Sequence, residues 1–171
     1  ESYRKIRNTF RYLLGNIKDN FEEIDFKKVK LNELPELEQF MLHKLYSLDV
    51  NFKKYFKNYD FHNLYKEILN FCTVDLSAFY FDIRKDALYC DSIDSKKRKS
   101  TILLLNIILN SLLKWFAPIL SFTTEEIYRL LFKDNKSIHL EKFIDFPNTF
   151  ANEKLYQKWL ELIKIRNICN I

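Results

Sequence analysis

Four cations, Arg4, Arg7, Arg11 and Lys18, recur at offsets of three, four and seven residues near the start of the chain. On a helix turning about 100° per residue they fall within a stripe roughly 60° wide, so their charges line one ridge. Guanidinium forks grip phosphate bidentately and stack on base faces, and a ridge of them can track a nucleic-acid backbone. An ordinary solvated or internally paired helix face fits the same spacing. Two further groups are basic: Arg84-Lys85, within reach of an RNA in the same sense, and the run Lys96-Lys97-Arg98-Lys99. That run falls in the first turn of an expected helix, where cations oppose the dipole. Either a phosphate contact through Lys97 and Arg98 or plain hydration of a loop end accounts for it.

Asp75, Asp82 and Asp86 form an acidic stripe at i, i+7 and i+11. Carboxylates one turn apart can share a proton or a metal. Here Arg84 and Lys85 adjoin them and no histidine does, so bonding to neighbouring helices is the better account. No nucleophile–base pair or Gly-rich phosphate loop occurs, and the sequence predicts no catalytic residue. His43, His62 and His139 are scattered, as are Cys72, Cys90 and Cys169, and no ligand spacing such as CxxC or HExxH predicts a metal site. Three separated cysteines argue against a disulfide framework and fit a reducing, cytoplasmic setting.

These groups need a scaffold. The 171 residues are the length of a single domain, and 47% hydrophobic content with 16% aromatic suffices for a core. One glycine and three prolines leave little material for tight turns, which favours long helices over a sheet. The net charge of +5 is uneven: residues 1–18 hold five basic residues against one acidic. A patchy positive surface suits a polyanion. The charged start predicts no signal peptide, and the apolar run 102–116 falls short of the roughly 20 residues that cross a bilayer. Asn106, Asn110 and Lys114 interrupt that run at helical spacing, as in a buried helix with one polar stripe.

The periodicity predicts an all-α antiparallel helix bundle with a small irregular or strand-like excursion. A first helix over 2–18 buries Ile6, Phe10, Leu13, Leu14 and Ile17. Residues 19–32 read as a linker, and Pro35 opens a second helix running to about Tyr55. Asp60 caps a third, which bends near Thr73-Val74 and resumes to Leu88; Ser95 caps a fourth that ends before Pro118. Thr123-Thr-Glu-Glu126 reads as a capping box for a short helix over 124–131. Ser137–Leu140 alternates as a strand does, and a last helix spans about 153–169.

Two stretches are specific enough to carry a family resemblance: Ser2 to Asn16, and Asp75-Leu-Ser-Ala-Phe-Tyr-Phe-Asp-Ile-Arg-Lys-Asp-Ala-Leu-Tyr89. With Tyr59-Asp-Phe-His62, Trp115 to Ile127, Ser137-Ile-His-Leu140 and Trp159…Arg166, they resemble, in order, the anticodon-binding domain of the isoleucyl-tRNA synthetases. The Asp75–Tyr89 block fits the isoleucine members better than the valine or leucine ones. The sequence departs from the family pattern at Ala87, where an arginine is usual, at Glu38-Gln39-Phe40 in place of Asp-Arg-Trp, and at Tyr128 in place of tryptophan.

The resemblance implies a module of a larger class I synthetase that holds the anticodon stem-loop of isoleucine tRNA as a monomer, off the membrane. It implies Asn8 with Arg11 as base contacts, since relatives use an Asn…Arg pair on this helix. ATP and magnesium would then belong to a catalytic domain outside this chain, and zinc to a C-terminal extension present in many relatives. A helical scaffold that supports the catalytic domain or a protein partner, without touching RNA, is the rival reading.

Overall fold

Helix α1 (Ser2–Ile17) lays Ile6, Phe10, Leu13 and Ile17 against the rest of the molecule, each at most 1% exposed. The computed structural model describes residues 1–17, 21, 25, 26, 29–132 and 136–169. Every regular element among them is helical: α2 (Glu36–Lys57), α3 (Phe61–Asn70), α4 (Phe81–Tyr89), α5 (Lys96–Phe116), α6 (Ser121–Leu131) and α7 (Glu153–Cys169) follow α1. Short 3-10 turns occupy Leu31–Glu33, Ile138–Leu140 and Asn148–Phe150.

The axis of the bundle is α5. From Leu104 to Phe116 its apolar side chains point all round the helix and are buried, as expected of a helix enclosed by others. The polar stripe bonds back along the helix: Asn106 Nδ2 donates to the Ile102 carbonyl at 3.2 Å and Asn110 Nδ2 to the Asn106 carbonyl at 3.0 Å. Trp115 Nε1 donates to the buried Asp49 carboxylate on α2 at 3.3 Å, and Lys53 pairs with the same carboxylate. A buried indole N–H and a buried charge thereby satisfy each other.

The chain does not leave the helix at the bend expected near Thr73-Val74. Phe71–Tyr80 is a wide π-helical stretch, so that α3, this stretch and α4 form one unbroken helical rod from Phe61 to Tyr89. Thr73 Oγ1 donates to the Leu69 carbonyl at 3.0 Å and Ser77 Oγ to the Cys72 carbonyl at 2.9 Å, so side chains take up carbonyls along the widened turns. Cys72, on the inner side, has its thiol pushed up to about 12 by burial.

Three other local expectations change for identifiable reasons. Helix α6 starts at Ser121, because Leu120 N–H closes a turn on Phe116 and Leu120's carbonyl then receives Thr124 N–H. The expected capping box is therefore not formed; Thr123 instead bonds the Tyr3 hydroxyl of α1 at 3.0 Å. Ser137–Leu140 has no partner strand among the described residues and closes into a 3-10 turn, its Ser137 Oγ and Ile138 N–H both held by Glu125 Oε2. A lone strand leaves its backbone unpaired, and a carboxylate from α6 removes that cost. Asp60 does cap α3, accepting from Asn63 N–H at 3.2 Å, whereas Ser95 sits at the cap of α5 but spends its hydroxyl on Asp91.

Contacts fix the direction of the helices around α1. Phe10 meets Phe116 at the far end of α5, while Asn16 of α1 reaches Tyr89 at the end of α4. Hence α1 runs against α5 and with α4, and one end of the bundle gathers the last turn of α1, the end of α4 and the start of α5.

His43 ties the segment before α7 to α2: its Nδ1 accepts Asn152 N–H at 2.8 Å, while Nε2 lies 3.8 Å from Glu153 and the ring packs on Tyr156. Burial lowers its pKa, with Glu153 pulling partly back. A depressed pKa means that the unfolded chain takes the proton more readily, so stability is lost as pH falls below about 6.5. Urea midpoints should drop between about pH 7 and pH 5. His43→Asn, whose amide oxygen stands near Nδ1 and does not titrate, should flatten that dependence.

Candidate nucleic-acid interface

Ile6, Phe10, Leu13 and Ile17 face inward, and the opposite side of α1 is exposed. Arg4, Arg7, Asn8 and Arg11 are all exposed there, and none of the three arginines pairs with a carboxylate among the described residues. Arg7 Nη1 leans on the Tyr3 hydroxyl at 3.4 Å; Lys5, on another face, takes Glu1 at 3.6 Å. Lys18, the fourth member of the expected ridge, lies outside the described residues. Arg4, Asn8, Arg11 and Gly15 follow one another at i, i+4, i+7 and i+11 along this surface.

The other cations divide. Arg84, placed by sequence reasoning among residues facing RNA, turns inward and is 7% exposed. Its Nε and Nη2 each donate at 2.6 Å to the two oxygens of Glu38 on α2, which is itself 0% exposed. Tyr80's hydroxyl completes the set, donating to Glu38 at 3.0 Å. Burial and the neighbouring Glu38 charge hold that hydroxyl well above its usual pKa, so it remains a proton donor. For Arg84, burial works against the charge, but the Glu38 hydrogen bonds and charge outweigh it. Arg84 thus clamps α4 to α2 and is not part of an external surface.

Lys85 points outward and pairs at 3.1 Å with Asp82, whose hydrogen bond and charge raise the ammonium's pKa. Lys97 is exposed at the start of α5. Arg98 is half-buried and donates to the Asp91 carbonyl at 2.8 Å, fastening α5 to the turn after α4. Lys97 stays with α1 and Lys85 as candidate phosphate contacts; Arg98 offers only the remainder of its fork.

The acidic stripe is structural at two of its three positions. Asp75 takes Lys44 of α2, and Asp82 takes Arg166 of α7 at 3.2 Å as well as Lys85. The residues that depart from the family pattern are also accommodated. Phe40 stacks on Tyr156 and Trp159 at 5.8 and 5.5 Å, Tyr128 donates to Glu141 at 3.2 Å, and Ala87 is buried.

One exposed residue to which sequence reasoning gave no role stands beside the ridge. Tyr89 is 64% exposed, and its hydroxyl lies 3.5 Å from Asn16 Nδ2 of α1. The aromatic pattern alone could not single it out, since Phe79, Tyr80 and Phe81 in the same block are buried.

The family described as "Anticodon-binding domain of tRNA ligase" matches residues 38–170, and the chain belongs to it. Helix α1 precedes the matched span, but alignments to individual relatives include it. The chain is 68% identical to an isoleucine–tRNA ligase of Pelagibacter ubique over 171 residues, all of this chain and 19% of that protein. It is 40% identical to the isoleucine–tRNA ligase of Mesorhizobium japonicum, over 98% of this chain and 16% of the relative. That of Brachyspira hyodysenteriae is 41% identical, over 98% and 18%. The chain thus spans less than a fifth of the length of each of these relatives.

Breaking a buried ion pair from one side strands a charge, which costs about 3–5 kcal/mol, whereas replacing both partners by apolar groups is often neutral. Arg84→Met should therefore destabilise the chain by about that amount in urea unfolding. Glu38→Leu combined with Arg84→Met should recover most of the loss, less the bond to Tyr80.

Proposed function

We propose that this chain is the part of an isoleucine–tRNA ligase that grips the anticodon stem-loop of isoleucine tRNA. The observation that carries the reading is the ridge of α1: three arginines and an asparagine on one exposed face, with no carboxylate partner among the described residues. Membership of the anticodon-binding family and the relatives' names support it. Arg4, Arg7 and Arg11 would contact loop phosphates, and Asn8 with Arg11 would meet unpaired bases, whose edges accept side-chain hydrogen bonds. Lys85 and Lys97 would extend the positive surface toward the stem, with Arg98 as a secondary contact.

Charging of the acceptor end, with its ATP and magnesium, would fall to other parts of the parent protein, as would any zinc. We assign the module a single-copy, cytoplasmic role. No helix among the described residues is long and apolar enough to cross a membrane.

Binding should be salt-sensitive. Neutralising three or four phosphates of a single-stranded loop gives a log–log salt slope of about −2 to −3. Filter binding or fluorescence anisotropy with isoleucine tRNA, at several salt concentrations, measures both affinity and slope. Arg11→Ala should weaken binding and make the slope shallower while leaving the melting temperature unchanged, because Arg11 bonds nothing within the fold that is described. Equal, undetectable binding to isoleucine tRNA and to polyanion controls would contradict the reading and leave a scaffold.

A further inference from the structure

Gly15 is the single glycine of the chain, and it stands inside a helix. Neither of the usual structural reasons for a glycine applies. Its φ is not positive, and a Cβ built on it would meet nothing within 4 Å. A helix-interior glycine is less favourable than alanine because it leaves the unfolded chain more freedom. The fold described here thus carries a weakening residue from which it gains no contact or conformation. What the glycine does provide is bare backbone on an exposed surface, one turn beyond Arg11 and next to Asn16.

The residue that follows Gly15 reaches an exposed aromatic side chain on α4. Asn16 Nδ2 bonds the Tyr12 carbonyl at 2.8 Å and lies 3.5 Å from the Tyr89 hydroxyl, so Tyr89 stands beside the last turn of α1. Tyr89 is 64% exposed and its ring makes no aromatic contact among the described residues. The Tyr12 hydroxyl lies near Tyr89, and its ring stacks on Phe81 of α4 with ring centroids 4.1 Å apart and planes 19° from parallel. Each wall has a cation one turn back, Arg11 before Gly15 on α1 and Lys85 before Tyr89 on α4. An open aromatic face between cations is how single-stranded nucleic acid is held, with bases stacked on the ring and phosphates on the charges.

We propose that Gly15, Asn16 and Tyr89 form a notch that receives one unpaired base of the bound RNA loop. The base lies against the bare backbone of Gly15, its face on the Tyr89 ring, while Arg11 and Lys85 hold the flanking phosphates. The proposal rests on the RNA-binding reading above and adds to it a specific stacking residue and a steric requirement at a specific helix position.

The test uses the whole chain and stem-loop RNAs carrying 2-aminopurine at one loop position at a time, with a fully paired duplex as control. Binding of the wild type should quench the probe or shift its emission at one loop position. Tyr89→Ala should weaken loop binding about 5- to 150-fold, the range for losing one base–aromatic stack, and abolish that response. Tyr89→Phe, which keeps the ring, should bind within about threefold of wild type, and the duplex should be insensitive to both. Gly15→Ala separates fold from function: it should raise the melting temperature by about 1–4 °C and still weaken loop binding at least fivefold.

Unchanged loop affinity in either Gly15→Ala or Tyr89→Ala overturns the notch, and so does a lowered melting temperature for Gly15→Ala, which would make the glycine a requirement of the fold. Retained sensitivity to Arg11→Ala in those cases leaves the broader RNA-binding reading standing. No binding by the wild type overturns both.

Discussion

The orientation of α1 is the constraint on which the external chemistry of this domain depends. Ile6, Phe10, Leu13 and Ile17 are buried against α5 and the π-helical stretch, and burial of each such side chain contributes about 1.5–3 kcal/mol. Rolling the helix to hide its arginines would expose all four and bury several unpaired charges, a combination far more costly than any surface contact could offset. The guanidinium groups are therefore outside because the apolar residues are inside, and they need no partner of their own to stay there. A second device sets the opposite rule for Arg84. The Glu38 carboxylate, carried into the core by α2, demands a bidentate cation, and α4 supplies it.

The proposed binding surface lies where α1, α4 and the start of α5 converge. The rod from Phe61 to Tyr89 leaves the α2–α3 turn and delivers Tyr89 to the side of Asn16. Its widened central turns carry Asp75 to Lys44 and Tyr80 to Glu38, so the rod is fastened to α2 by buried or half-buried polar bonds. Arg98 fastens the next helix to the same end. What this arrangement presents to solvent is a rigid surface with arginines along one helix and an open tyrosine at its end. A surface arranged in advance in this way loses little side-chain freedom on association.

Much of this was legible in the residues. The 3.6-residue spacing of Ile6, Phe10, Leu13 and Ile17 locates both faces of α1, and the scarcity of glycine and proline favours helices over a sheet. The polar stripe of α5 marks a buried helix with one interrupted face, and α5 is such a helix. For Arg84 charge points outward but register points inward. It lies at i+4 from Tyr80 and beside Leu88 at i+4, on the buried stripe of its helix, and Glu38 likewise sits among Leu37, Phe40 and Met41. Two opposite charges on two apolar stripes are a signal for a buried pair. The start of α6 is set by a backbone turn on the Phe116 carbonyl, which no side-chain capping pattern marks, and the turn at Ile138 depends on the Glu125 carboxylate brought in from α6. Tyr89 was hidden by its aromatic neighbours: only the end of the rod distinguishes an exposed ring from the buried ones before it.

The most direct test of the outward ridge is a map of backbone amide shifts in the isotope-labelled chain on titration with isoleucine tRNA. The account predicts that the largest changes follow the exposed face of α1, from Arg4 through Arg11 to Gly15, and continue to the end of α4 and the first turn of α5. Changes confined to α2, α3 or α7, with α1 silent at saturating tRNA, would contradict it.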